Sequence, residues 1–124
     1  MEAWTAGDVE ATLAAFADDI EVSVPADFMN SGTFRGRDGF LEWIEQWNEA
    51  WEEISYELED VVPVGDRHVV AAVRNRGRGR GSGVQVEDVR AWVLELRDDR
   101  VSYFSLQVGF EEALAHARER EAGS

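Results

Sequence analysis

One stretch constrains the fold more than any other. Between Arg37 and Trp51, the large apolar residues Phe40, Trp43, Ile44, Trp47 and Trp51 recur at helical intervals. An α-helix turns once every ~3.6 residues, so this spacing stacks all five on one face. Glu42, Glu45 and Glu49 fall away from that face. An isolated helix has nothing against which to bury such a stripe, so the rest of the chain must supply a broad apolar surface.

That surface reads as a sheet. Ile20 to Pro25 alternates and ends at proline, which predicts a strand. Ala26 to Gly36 reads as a loop or short hairpin anchored by Phe28 and Phe34. After the helix, Ile54, Tyr56 and Leu58 alternate with Ser55, Glu57 and Glu59, and Val61 to Val64 ends in a Gly65-Asp66 turn. His68 to Arg76 reads as a strand and Gly77 to Gly83 as the connection after it. Val84 to Leu96 reads as a long strand with Trp92, Leu94 and Leu96 on one face; Asp98-Asp99 turns the chain into a strand over Val101 to Val108. Two more helices bracket this meander. Asp8 caps a short one running to Ala17, and Phe110 to Arg120 forms a closing one, with Glu111 and Glu112 in its first turn and Arg118 and Arg120 in its last. Helices followed by an antiparallel meander imply an α+β domain, with one sheet face buried under the helices. No repeat or linker is visible, so residues 1–124 read as one domain.

Composition limits the function. Apolar residues make up 44% of the chain, enough for one core, and cysteine is absent, which excludes disulfides and Cys-ligated metals. No apolar run approaches the ~20 residues of a membrane span, and Met1 to Gly7 lacks a secretory pattern, so a cytoplasmic protein with no membrane role is expected. The formal net charge is -14, which repels nucleic-acid backbones. The Arg-Gly run from Arg74 to Gly81 therefore reads as a strand connection whose arginines pair with acidic neighbours, and no nucleic-acid partner is expected.

Several strings in order resemble the nuclear transport factor 2-like superfamily, in particular its SnoaL-like branch. They are Ala3-Trp4-Thr5-Ala6-Gly7-Asp8, Phe16-Ala17-Asp18-Asp19 with Val22 and Pro25, and Phe34-Arg35-Gly36-Arg37-Asp38-Gly39. Then come Arg76 to Gly83, Trp92 to Leu96 with Arg97-Asp98, and Glu111-Glu112-Ala113-Leu114. The resemblance implies a cone-shaped, curved antiparallel sheet wrapped around helices, with a pocket for a small hydrophobic molecule at the open end. It also implies a long first helix, of which only the last turn is visible at Glu2 to Thr5, so that helix reads as truncated. The fold hosts cyclases, isomerases, dehydratases, epoxide hydrolases and non-enzymes alike, so function must be argued from the site.

The acid–base sets of similar families do not carry over. Ketosteroid isomerases resemble this scaffold and place a carboxylate base before the proline that ends the first strand, where this chain has Val24; the place of their strand acid falls near Trp92. The two aspartates of limonene epoxide hydrolases fall near Asn75 and Leu106. Scytalone-dehydratase-like chemistry needs two pocket histidines, whereas His68 and His116 read as surface or packing residues without an acidic orienter. Asp88 and Arg90 remain. Two residues apart on the long strand, they share a face with Trp92 and Leu94. On a concave face, Asp88 is the candidate proton shuttle and Arg90 its orienter, with cofactor-free acid–base chemistry of the kind that SnoaL-type cyclases perform. The alternative is a structural ion pair at the mouth of a non-catalytic pocket. The expected lining is Trp43, Trp47, Tyr56, Asn75, Trp92 and Leu106; no metal or cofactor is expected, because no ligand cluster is visible. Val89, Ala91, Val93 and Tyr103 lie on the opposite sheet face and predict a homodimer through the convex side.

Overall fold

The computed structural model describes residues 14–25, 32–79, 81 and 83–123, leaving out the side chains of residues 47, 48, 50 and 51–54. The elements are β1 (Phe16–Val24), β2 (Gly32–Arg35), α1 (Gly36–Ala50), β3 (Trp51–Val64), β4 (His68–Gly79), β5 (Gln85–Arg97), β6 (Arg100–Gln107) and α2 (Phe110–Ala122). The strands form one curved six-stranded sheet in the order β2-β1-β6-β5-β4-β3, which gives the α+β class. The pairing is antiparallel except between β1 and β6, which run parallel.

The turn from β2 into α1 explains the Phe34-to-Gly39 string. Gly36 has φ +73, a conformation that a side chain resists. At Gly39 the helix comes so close to β2 that a Cβ would lie 3.1 Å from the Phe34 carbonyl carbon. Between them, the Arg37 Nη2 donates to the Phe16 carbonyl at 2.8 Å, and its Nη1 lies 3.1 Å from Asp18. The start of α1 is thereby fixed to β1. At the other hairpin, Asp98 and Asp99 have φ of 52 and 65, as a two-residue turn between right-twisted strands requires.

Several element boundaries differ from those read off the sequence. Phe16 and Ala17 do not end a helix. They begin β1, where Phe16 pairs with Val101, and a break in register before Glu21 leaves Asp18 and Asp19 exposed. Asp19 forms an ion pair with Arg97, whose hydrogen bond lowers the Asp19 pKa. Trp51 opens β3 instead of closing α1. The two short strands expected between Ile54 and Val64 are one strand with an irregularity between Leu58 and Asp60. Pro63 is tolerated in that strand because β3 is a sheet edge. Gly77, Arg78 and Gly79 continue β4 by pairing with Ile54, Glu53 and Trp51, so the Arg-Gly run is largely strand. Its outward side chains do find acidic partners: Arg74 meets Glu59 and Glu87, and Arg76 lies 3.2 Å from Glu57. The expected turn at Glu2 to Thr5, the helix from Asp8 up to its last turn, and Phe28 lie outside the described residues.

The sheet is buried on both faces, not one. On the concave side, Phe40, Trp43 and Ile44 of α1 enter a core with Val22, Trp92, Leu94 and Phe104. The rings make a continuous chain: Phe16 to Phe40 at 4.7 Å, Phe40 to Trp43 and Trp43 to Phe104 at 6.1 Å each, Phe104 to Trp92 at 5.4 Å and Trp92 to Tyr56 at 5.7 Å. On the convex side α2 covers Val70, Ala91, Val93 and Tyr103 with Ala113 and Ala117. This corrects the expected outward set, because Ala91, Val93 and Tyr103 are taken up within the chain, while Val89 remains 41% exposed. The side chain of Trp47 lies outside the described residues. For Trp43, which is 3% exposed at the centre of the ring chain, replacement by alanine should cost about 3–5 kcal/mol in chemical denaturation; a loss below about 1 kcal/mol contradicts this packing.

Candidate functional site

The register of the three central strands places the candidate residues in rows across the concave face. Tyr56 pairs with Asn75, and Asn75 with Asp88. In the next row Leu58 pairs with Val73, and Val73 with Arg90; in the one after, Ala71 pairs with Trp92, and Trp92 with Leu106. Because strand side chains alternate in direction, Asp88 and Arg90 project from the same face as Trp92. That face is the one packed under α1, since Trp92 and Leu106 belong to the same core as Trp43.

The side chains meet. Asn75 Nδ2 donates to Asp88 Oδ1 at 3.3 Å, and Arg90 Nε donates to Asp88 Oδ2 at 3.2 Å. Arg90 Nη1 also reaches the Val108 carbonyl, at 3.4 Å, just before α2. Burial increases along the row toward Trp92: the side chains of Asp88 and Arg90 are 38% and 35% exposed, Tyr56 is half-buried, and Trp92 is buried. The carboxylate thus sits partly exposed at the edge of an aromatic floor, not inside an apolar enclosure. Each of its oxygens accepts one hydrogen bond, and a carboxylate offers about four lone-pair directions, so it keeps capacity for a ligand's proton. A guanidinium and an amide hold it in one orientation, as a positioned acid–base group requires.

Of the expected lining, Asn75, Tyr56, Trp92 and Leu106 are contiguous with Asp88 and Arg90 by register. Trp43 stands one ring deeper, in contact with Phe104, and so belongs to the floor's foundation. Trp47 lies outside the described side chains. Among the described residues no group of three His, Asp or Glu side chains is arranged to hold a metal ion.

The histidines depart from the sequence reading. His68 is buried, and it does have acidic partners: Nδ1 binds Glu121 of α2, and Nε2 lies 3.6 Å from Glu95 of β5. His116 Nε2 lies 2.8 Å from the Tyr103 hydroxyl, and desolvation, followed by the charge of Arg120, lowers its pKa. Both sit at the seam between the convex face and α2, His68 on β4 and His116 on α2 itself, away from Asp88. Their partners are separated by 53 and 27 positions (121 − 68 and 95 − 68) for His68 and 13 for His116. No local motif therefore announces them; only the pairing of β4 with β5 and the docking of α2 bring them together.

Similar structures share this architecture. An NTF2-like protein from Burkholderia thailandensis E264 superposes with a TM-score of 0.78 at 25% identity, over 94% of this chain and 88% of that one. TerC, crystallised with polyporic acid, gives 0.76 at 16% identity over 95% and 91% of the two chains. A putative SnoaL-like polyketide cyclase from Jannaschia sp. CCS1 gives 0.73 at 17% identity over 94% and 84%. At such identities the last two likenesses speak to the fold alone. Among curated proteins, no sequence relative matches this chain. The sequence model of the SnoaL-like domain matches residues 1–104, and this chain belongs to the SnoaL-like domain family.

Proposed function

We propose that the concave face binds a small hydrophobic molecule and that Asp88 moves a proton on it without a cofactor. The observation that carries this reading is the Asp88–Arg90–Asn75 cluster on the face of Trp92. An apolar ligand body would lie against Tyr56, Trp92 and Leu106, and its polar end would meet the carboxylate, the guanidinium and the amide. That division of labour, an apolar wall with a few fixed polar groups, is what small-molecule sites use. The structurally similar TerC was crystallised with polyporic acid and another neighbour is named a putative polyketide cyclase, which supports a carbonyl-bearing organic ligand. In this reading the carboxylate removes a proton next to a carbonyl and Arg90 fixes the angle at which it does so.

A second reading is a non-catalytic binding module. Its support is the exposure of Asp88, which at 38% leaves the carboxylate in contact with water. Proton exchange separates the two. Incubated in deuterated water with a panel of aromatic ketones, the protein should catalyse deuterium uptake at the carbon next to the carbonyl. Asp88→Asn keeps the shape and loses the base, so uptake should fall by about 10²–10⁴-fold, while quenching of tryptophan fluorescence by the same ketones is retained. Ketone binding without exchange in the unmodified protein would favour the binding module.

We also propose that two copies pair through the part of the convex face that α2 leaves open. Val89 lies there beside the ladder of Glu57, Glu59 and Glu87 with Arg74 and Arg76, whose alternating charges can face a rotated copy of themselves. Static light scattering should give twice the chain mass, falling as salt is raised; a single-chain mass at every concentration removes this proposal.

A further inference from the structure

The terminal helix is held in an unusual way for its place in the core. Among its described residues only Ala113 and Ala117 are fully buried, with Phe110 and Leu114 partly so. Alanine has little side chain to remove from water, so this seam gains modest apolar stabilisation. Yet it covers Val70, Ala91, Val93 and Tyr103, which are at most 3% exposed. What fixes the last two turns is polar. Glu121 binds His68 and accepts from the Asp66 amide at 3.3 Å, with Arg67 at 3.8 Å. Arg120 binds Glu95 at 3.0 Å while its guanidinium lies 3.5 Å above the Tyr103 ring, and the Tyr103 hydroxyl meets His116. The β3–β4 turn is shaped for this contact: Gly65, at φ +65, has no side chain where a Cβ would collide with the Glu121 carboxyl group. A surface groove lined in part by Val64, Gly65, Leu114 and Glu121 runs along the seam and gives solvent a route to it.

We propose that α2 is an acid-released strap: its polar clamp opens on mild acidification before the sheet unfolds, uncovering the apolar strip of Val70, Ala91, Val93 and Tyr103. His116 is the main trigger. Its neighbours are Tyr103 on β6, His68 on β4, and Arg120 and Glu119 on its own helix; burial and Arg120 disfavour its cationic form, and Glu119 offsets only part of this. The docked helix therefore takes up a proton on His116 less readily than the free one. Docking weakens as pH falls below the ordinary histidine value, and continues to weaken until the docked group is itself protonated. Glu121 acts in the same direction at lower pH. The hydrogen bond from His68 lowers its pKa, so its contribution is present above the ordinary carboxylate range and is lost as pH falls through the lowered value. His68, with Nε2 3.6 Å from Glu95, ties β4 and β5 into the same clamp; the release is carried by His116.

Amide hydrogen exchange on the whole chain tests this directly, with intrinsic exchange rates divided out. On going from about pH 7.5 to about pH 5, α2 amides should lose protection by at least about fivefold, while amides in the β4–β5 ladder keep theirs. The His116 imidazole resonance should titrate in step with that loss, and His116→Gln should remove most of the pH difference. Gly65→Ala, which displaces Glu121 from His68, should leave α2 poorly protected at both pH values. The proposal is overturned if α2 protection is the same at both pH values, if it is lost together with that of the sheet, or if His116→Gln retains the full difference.

Discussion

The chain of ring contacts from Phe16 through Phe40, Trp43, Phe104 and Trp92 to Tyr56 is the interaction on which the rest depends. It joins the first strand, the long helix and three strands of the meander in one packed line. Aromatic side chains bury large areas in defined geometries, so such a line sets both how far the helix stands from the sheet and how the sheet curves around it. The polar cluster takes its place from the same line. Asp88 and Arg90 emerge on the strand that carries Trp92, at the end where the aromatic filling gives way to Tyr56 and solvent.

This arrangement divides the face under α1 into a buried aromatic floor and a partly exposed polar edge. Side chains below Trp92 are consumed by packing, which leaves the chemistry to groups that are only partly covered. A half-exposed carboxylate is less costly to keep in place than a buried one, because water continues to solvate it. It depends on Asn75 and Arg90 for its orientation. Arg90 is braced in turn by the Val108 carbonyl, at the root of α2, so the polar cluster on one face and the helix on the other share a structural member.

The sheet is a shared wall between two differently built cores. The α1 side is large, aromatic and apolar. The α2 side is small, built on two alanines, and relies on His68, Glu95, Arg120 and Glu121 for its closure. In a chain with net charge -14, this clamp sets the carboxylates of Glu95 and Glu121 against Arg120 and His68, where the α1 side relies on apolar packing. Across the open part of the same face, arginines of β4 are laid between glutamates of β3 and β5, which neutralises an edge that would otherwise repel itself.

Much of this was legible in the residues. Helical spacing at Phe40, Trp43 and Ile44 fixed α1 and its buried face, and alternation along β5 placed Asp88, Arg90 and Trp92 together, because both periods are local consequences of backbone geometry. The boundaries that shifted were those decided by distant partners. Phe16 became strand through Val101, Gly77 to Gly79 became strand through β3, and Ala91, Val93 and Tyr103 became core through α2. The histidines are the clearest case. Nothing near His68 in the sequence names Glu95 or Glu121 as its partners, since the β4–β5 register and the docking of the last helix bring them together. The sequence by itself determined which faces are apolar, where the chain turns and which acid and base share a strand face. Only the tertiary structure decided how exposed that acid is, what covers the outer face and which buried polar groups pair, because burial and charge pairing depend on residues that meet only when the chain has closed on itself.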